Sequence, residues 1–167
     1  GLSVGVMRKL KQLLQIISQI SPFKPNYSDL ARDISVKRDD LKEYIFYMEK
    51  SGMIQGLTAP DKGLNLLAKI DKIYLDNTNL MHALCGDNCE IGNIRETFFF
   101  NQMKVRNTVT SSPASDFYVN DKYTFEVGGR KKGKKQIKDV ENSYVVKDDI
   151  EYAYSNVIPL WAFGLNY

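Results

Sequence analysis

The sequence predicts an α+β fold in two parts, a helical block closed by a strand and then a helix followed by antiparallel strands. Three observations carry this expectation. Between Leu2 and Lys50 apolar residues recur three or four positions apart, the period of helices packed on one face. From Phe117 to Val127 the period changes to two, with Phe117, Val119, Tyr123, Phe125 and Val127 on one face of a strand pair. Between these stretches, Ala59-Pro60-Asp61-Lys62-Gly63 has the turn chemistry of a boundary, which divides the chain into residues 1–62 and 63–167.

In the first part, Leu2 to Ile20 reads as an amphipathic helix on Val6, Leu10, Leu13, Leu14 and Ile17, broken by the two prolines between Ser21 and Asn26. Tyr27 to Ile34 is a short second helix, and Ser35-Val36 a tight turn. Lys37 to Lys50 is a third helix with Gly52 as its C′ glycine, and Met53 to Leu57 a strand. Leu30, Ala31, Ile34, Val36, Leu41 and Ile45 have the core spacing of a helix-turn-helix, in which a small residue at Ala31 lets the helices approach. With a strand following, the natural reading is a winged helix. Its third helix is poorly suited to reading DNA, because Lys37, Arg38, Lys42 and Lys50 are offset by Asp39, Asp40, Glu43 and Glu49.

In the second part, Lys72 to Leu75 is a short strand, Asn77 to Leu84 a short helix and Glu90 to Arg106 a longer one. A hairpin follows. A three-residue loop, Asn120 to Lys122, sets Val119 opposite Tyr123 and Phe117 opposite Phe125, whereas a two-residue turn would mix the faces. That register puts Asp116 opposite Glu126 on the polar face, Cβ atoms roughly 5 Å apart. Gln136-Ile137-Lys138 is a basic turn or helix start, while Tyr144 to Val146 and Ile158 to Phe163 read as buried strands. Tyr152, Tyr154 and Trp161 are expected to pack.

Asp116 and Glu126 are the start of a metal site or the remains of one, because carboxylates that close repel unless a cation, a proton or solvent intervenes. Glu96, on the preceding helix, is a third acid. Acid on helix, acid on strand and acid on the next strand resembles the PD-(D/E)xK nuclease fold, in which Mg²⁺ or Mn²⁺ activates water for phosphodiester hydrolysis. That fold places a lysine two residues after the last acid; here the position is Gly128, and Arg130, Lys132 or Lys134 is left to reach back from the loop. Glu96, Asp116 and Glu126 are therefore candidate vestigial catalytic acids, with Asp116 and Glu126 as the metal pair. From Gly128 to Lys138 the chain carries Arg130, Lys131, Lys132, Lys134, Lys135 and Lys138 and no acid, a run able to wrap a phosphate backbone. His82, Cys85 and Cys89 are too few for a structural zinc site and read as a buried thiol pair beside a surface histidine.

The net charge of +3 on 167 residues names no partner unless it is clustered. No stretch reaches the roughly 18 apolar residues that cross a membrane, and two cysteines make no disulfide framework, so a cytoplasmic location is expected. Gly1 reads as a cloning scar, and the chain as a fragment of a longer protein.

Together, the helix-turn-helix block, Tyr74 to Met81, Asn93 to Gln102, Phe125-Glu126-Val127-Gly128-Gly129 and Ile158-Pro159-Leu160-Trp161 resemble the C-terminal region of prokaryotic AAA-type ATPases whose tail is a domain of unknown function. Many members show Glu-Val-Lys where this sequence has Glu126-Val127-Gly128. The resemblance implies a winged helix with a nuclease-like domain, and an N-terminal P-loop ATPase domain as partner. ATP would belong to that missing part, since no Gly-x-x-x-x-Gly-Lys-Ser/Thr occurs here. Three readings follow: a nucleic-acid- or partner-binding tail with an inactive nuclease-like domain, a Mg²⁺- or Mn²⁺-dependent DNA endonuclease, or a protein-interaction scaffold.

Overall fold

The computed structural model describes residues 1–60 and 70–165. Helix α1 (Val4–Ile20) starts at Ser3, whose hydroxyl accepts from the Val6 amide, and ends at Ser21 before Pro22. Helix α2 (Tyr27–Asp33) is capped by Asn26, whose carbonyl oxygen accepts from the amides of Ser28 and Asp29. Helix α3 (Arg38–Lys50) ends in a Schellman turn: Met53 N donates to Met48 O, Gly52 N donates to Glu49 O, and Gly52 takes φ +70° as a C′ glycine does.

Strand β1 (Ile54–Thr58) pairs antiparallel with β2 (Ile70–Leu75), Ile54 opposite Leu75 and Gly56 opposite Ile73. Helices α4 (Thr78–Cys85) and α5 (Ile91–Met103) follow. Five further strands follow among the described residues: β3 (Val109–Ser111), β4 (Phe117–Val119), β5 (Tyr123–Gly128), β6 (Ser143–Lys147) and β7 (Val157–Pro159). They form one mixed sheet in the order β2-β1-β3-β4-β5-β6-β7, parallel at β1/β3, β5/β6 and β6/β7. The protein is thus a mixed α+β fold with a seven-stranded sheet. The outer edge of β2 is covered by Phe23, which exchanges backbone hydrogen bonds with Ile73 at 3.2 and 2.9 Å.

Two large cores sit on this frame. The first gathers Leu13, Ile17, Leu30, Ile34, Leu41 and Ile45 from α1–α3 with Ile54, Ile73, Leu75 and Met81. The second gathers Phe99, Phe100 and Met103 of α5 with Phe117, Phe125, Val127, Val146 and Leu160. The β1–β2 hairpin is the wall between them: Ile73 and Leu75 face the first core, and Tyr74 and Leu57 face the second. The expected boundary at 62/63 falls in residues 61–69, outside the described residues, and the β1–β2 pairing runs across it.

The β4–β5 hairpin has the expected register, Phe117 opposite Phe125 and Val119 opposite Tyr123, with Asn120 and Asp121 at φ 53° and 50° in the loop. Its polar face is not a solvated one. Thr124 and Glu126 are buried along with Phe125 and Val127, because β5 is central in the sheet and the segment after it folds back over that face. There Ile137, in a 3-10 turn (Lys135–Ile137), packs on Val145 and Val157 in a small third core. The expected strand from Ile158 to Phe163 is corrected: the strand is Val157–Pro159, and Leu160–Leu165 is a 3-10 helix. Tyr152, Tyr154 and Trp161 do not pack as expected. They are 78%, 55% and 56% exposed, since the turns that carry them lie outside the sheet.

Candidate functional site

The three acids named from sequence converge at one end of the second core. Glu96 projects from α5 and accepts from the Tyr74 hydroxyl at 2.9 Å and from Lys72 Nζ at 3.4 Å. Asp116 precedes β4 and accepts from the Val127 amide of β5 at 2.8 Å. Glu126 lies on β5 and is only 1% exposed. A charge that deep requires partners. Lys132 Nζ forms an ion pair with Oε1, the Ser115 hydroxyl donates to Oε2, and the Gln136 amide, oriented with its nitrogen toward the carboxylate, donates to Oε1 at 2.6 Å and Oε2 at 2.8 Å.

The electrostatics follow from this crowding. Burial pushes the Asp116 carboxyl up to about 6, helped by the charges of Glu96 and Glu126, while the Val127 amide and Lys132 pull the other way. Burial alone would lower the Lys132 ammonium, but its hydrogen bond to Glu126 and the charges of Glu126, Asp116 and Glu96 outweigh it, and the net shift is upward. Burial, then Glu96, holds the Tyr74 hydroxyl protonated far above its ordinary range, so it is a donor at any ordinary pH. A cavity of about 390 Å³ lined by Pro113, Ala114, Ser115, Asp116 and Gln136 opens beside the Asp116 carboxyl.

Three carboxylates are the oxygen-donor chemistry that Mg²⁺ and Mn²⁺ prefer. As arranged, however, they do not fit a metal. Among the described residues no three His, Cys, Asp or Glu side chains are placed to hold one. Both Glu126 oxygens are taken by Lys132, Ser115 and Gln136. The expected metal pair, Asp116 and Glu126, lies beside the Lys132 ammonium, which pairs with Glu126.

The basic run divides. Lys132 turns inward, whereas Arg130, Lys131, Lys134, Lys135 and Lys138 are exposed, so one of the six expected phosphate contacts is spent internally. Sequence reading left Lys132 as one of three residues able to reach back, and the structure selects it. Ser115, Gln136 and Tyr74 were not anticipated. The one available signal was the i, i+4 spacing of Lys132 and Gln136, which becomes meaningful once a turn returns the chain over β5. Elsewhere, the thiols of Cys85 and Cys89 are half-buried and donate to Ser18 O at 2.9 Å and Met81 O at 3.5 Å.

Fold and site define a mixed α+β protein with a buried acid–ammonium centre beneath an exposed basic loop. Residues 3–90 match the family described as a domain of unknown function (DUF8612), and the chain belongs to that family. No curated protein and no solved structure matches the chain. The family match covers the first core and the β1–β2 wall; Glu96, Asp116, Glu126 and the basic loop lie beyond it. No helix among the described residues is long and apolar enough to cross a membrane.

Proposed function

We propose that this chain is a nucleic-acid-binding module, a winged helix joined to a nuclease-like domain without its catalytic metal centre, which serves as the tail of an AAA-type ATPase. Three helices followed by the β1–β2 hairpin support the winged-helix reading. Helix acid Glu96, with Asp116 just before β4 and Glu126 on β5, supports the nuclease-like reading. The resemblance of the sequence supports the ATPase. One observation carries the binding role: the loop after β5 is tied down at Lys132 and Gln136 while five cations beside those ties face solvent. A fastened basic loop meets a phosphate backbone without first losing its own conformational freedom.

The test is binding of a labelled DNA duplex across a salt series. Replacing Lys131, Lys134 and Lys135 with Ala should flatten the slope of log affinity against log salt by about two to three units, if each touches a phosphate. An unchanged slope removes the loop from DNA binding. No binding even at low salt rejects nucleic acid and leaves the third reading, a scaffold for an acidic protein.

A second reading, a Mg²⁺- or Mn²⁺-dependent DNA endonuclease, is favoured by the Lys132 amine that Gly128 does not supply and by the cavity beside Asp116. It requires metal-dependent cleavage of DNA that disappears in Asp116→Ala and Glu126→Ala.

A further inference from the structure

Gly128 ends β5 with a φ outside the left-handed region, so its backbone does not call for glycine. Space does. A Cβ built there would lie 2.7 Å from Lys132 Cγ and Cδ and 2.8 Å from Lys132 Cβ. The stem of Lys132 thus fills the volume that a side chain at position 128 would occupy. A turn closed by Lys132 N donating to Gly129 O at 2.8 Å brings it back over the strand. The ammonium then ends on Glu126, with Asp116 and Glu96 near enough to act on its charge.

We propose that Lys132 is the built-in counter-ion of this acidic centre, lying where such a centre would take a divalent cation, and that Gly128 is the seat that admits it. The carboxylates that cannot all remain ionised side by side are served by the chain's own cation. Because Lys132 and Gln136 belong to the basic loop, the same contacts fasten that loop to the sheet. Gly129 extends the seat: a Cβ there would meet the Arg95 guanidinium at 3.0 Å, and Arg95 in turn holds Asp148 at 2.9 Å on β6's C-terminal side. The inference goes beyond the nucleic-acid reading and does not depend on it.

Removing the ammonium should therefore unmask a divalent-cation site. Mn²⁺, which accepts carboxylate oxygens readily, is titrated by calorimetry near neutral pH into the parent chain, Lys132→Met and the double variant Lys132→Met/Glu126→Gln. The expected result is no saturable binding to the parent, saturable binding to Lys132→Met, and its loss in the double variant. Saturable binding to the parent would overturn the proposal, because the ammonium would then not hold the cation's place. So would a folded Lys132→Met chain, by circular dichroism, that binds no Mn²⁺. If Lys132→Met does not fold, Gly128→Ala decides: it keeps every charged group and only pushes the Lys132 stem aside. Mn²⁺ binding by Gly128→Ala supports the seat, and a folded Gly128→Ala chain that binds none rejects it.

Discussion

The first core is aliphatic and built from neighbours in sequence, with α1 to α3 supplying Leu13, Ile17, Leu30, Ile34, Leu41 and Ile45. The second is aromatic and built from distant elements: the Phe99 ring lies 5.0 Å from Phe117, 5.2 Å from Phe125 and 4.9 Å from Phe163. The two also treat charge differently. Around the first core the ion pairs stay in solvent, as with Lys42 and Asp39 at 2.9 Å, where such pairs add little. Beneath the second, one carboxylate is carried inside and a lysine follows it. A core of local helices can leave its charges outside, whereas a central strand of a mixed sheet exposes neither face, so an acid on it must be matched.

The comparison can be broken at the wall the two cores share. A chain ending at residue 62 lacks Ile73, Leu75 and Met81, three buried members of the first core. It should show no cooperative melting transition by circular dichroism. Within the intact chain, Phe99→Ala removes the hub of the aromatic core and should cost about 3–5 kcal/mol in denaturant unfolding. Lys132→Met leaves Glu126 buried without its cation. The cost should be ~2–3 kcal/mol, below that of a fully buried pair because the Lys132 side chain is 36% exposed.

Protonation sharpens the contrast further. The Asp116 carboxyl is raised from 3.8 to about 6, so between those values the folded chain keeps a proton that the unfolded chain has released. Stability should fall as pH rises through that window, by ~2–3 kcal/mol in all, and Asp116→Asn should flatten the fall in unfolding free energies measured across it. The smallest effect belongs to the first core: Asn26→Ala removes the cap of α2 and should cost about 1 kcal/mol by the same unfolding assay.

Legibility followed locality. The hairpin register was readable because side-chain period and loop length constrain each other, and the observed pairing of Phe117 with Phe125 is the one they select. Gly52 was readable as a helix stop because a left-handed C′ position favours glycine. The run from Ile158 to Phe163 misled because a short apolar stretch carries no period that separates strand from 3-10 helix. Strand β3, only Val109–Ser111, offered too short a pattern to be seen. At the site, the acids were legible from strand register and helix position, but the burial of Glu126 was not. A strand's alternation does not say what will cover its second face.

By itself, then, the sequence determined the helices, the hairpin and the identity of the three acids, because each depends on residues within a few positions of one another. Only the tertiary structure decided that one sheet joins both cores, that Glu126 lies inside it, and that Lys132 rather than Arg130 or Lys134 answers it. Those outcomes depend on which strand becomes central and where a glycine leaves room for a returning side chain, and both are settled by packing between segments far apart in the chain.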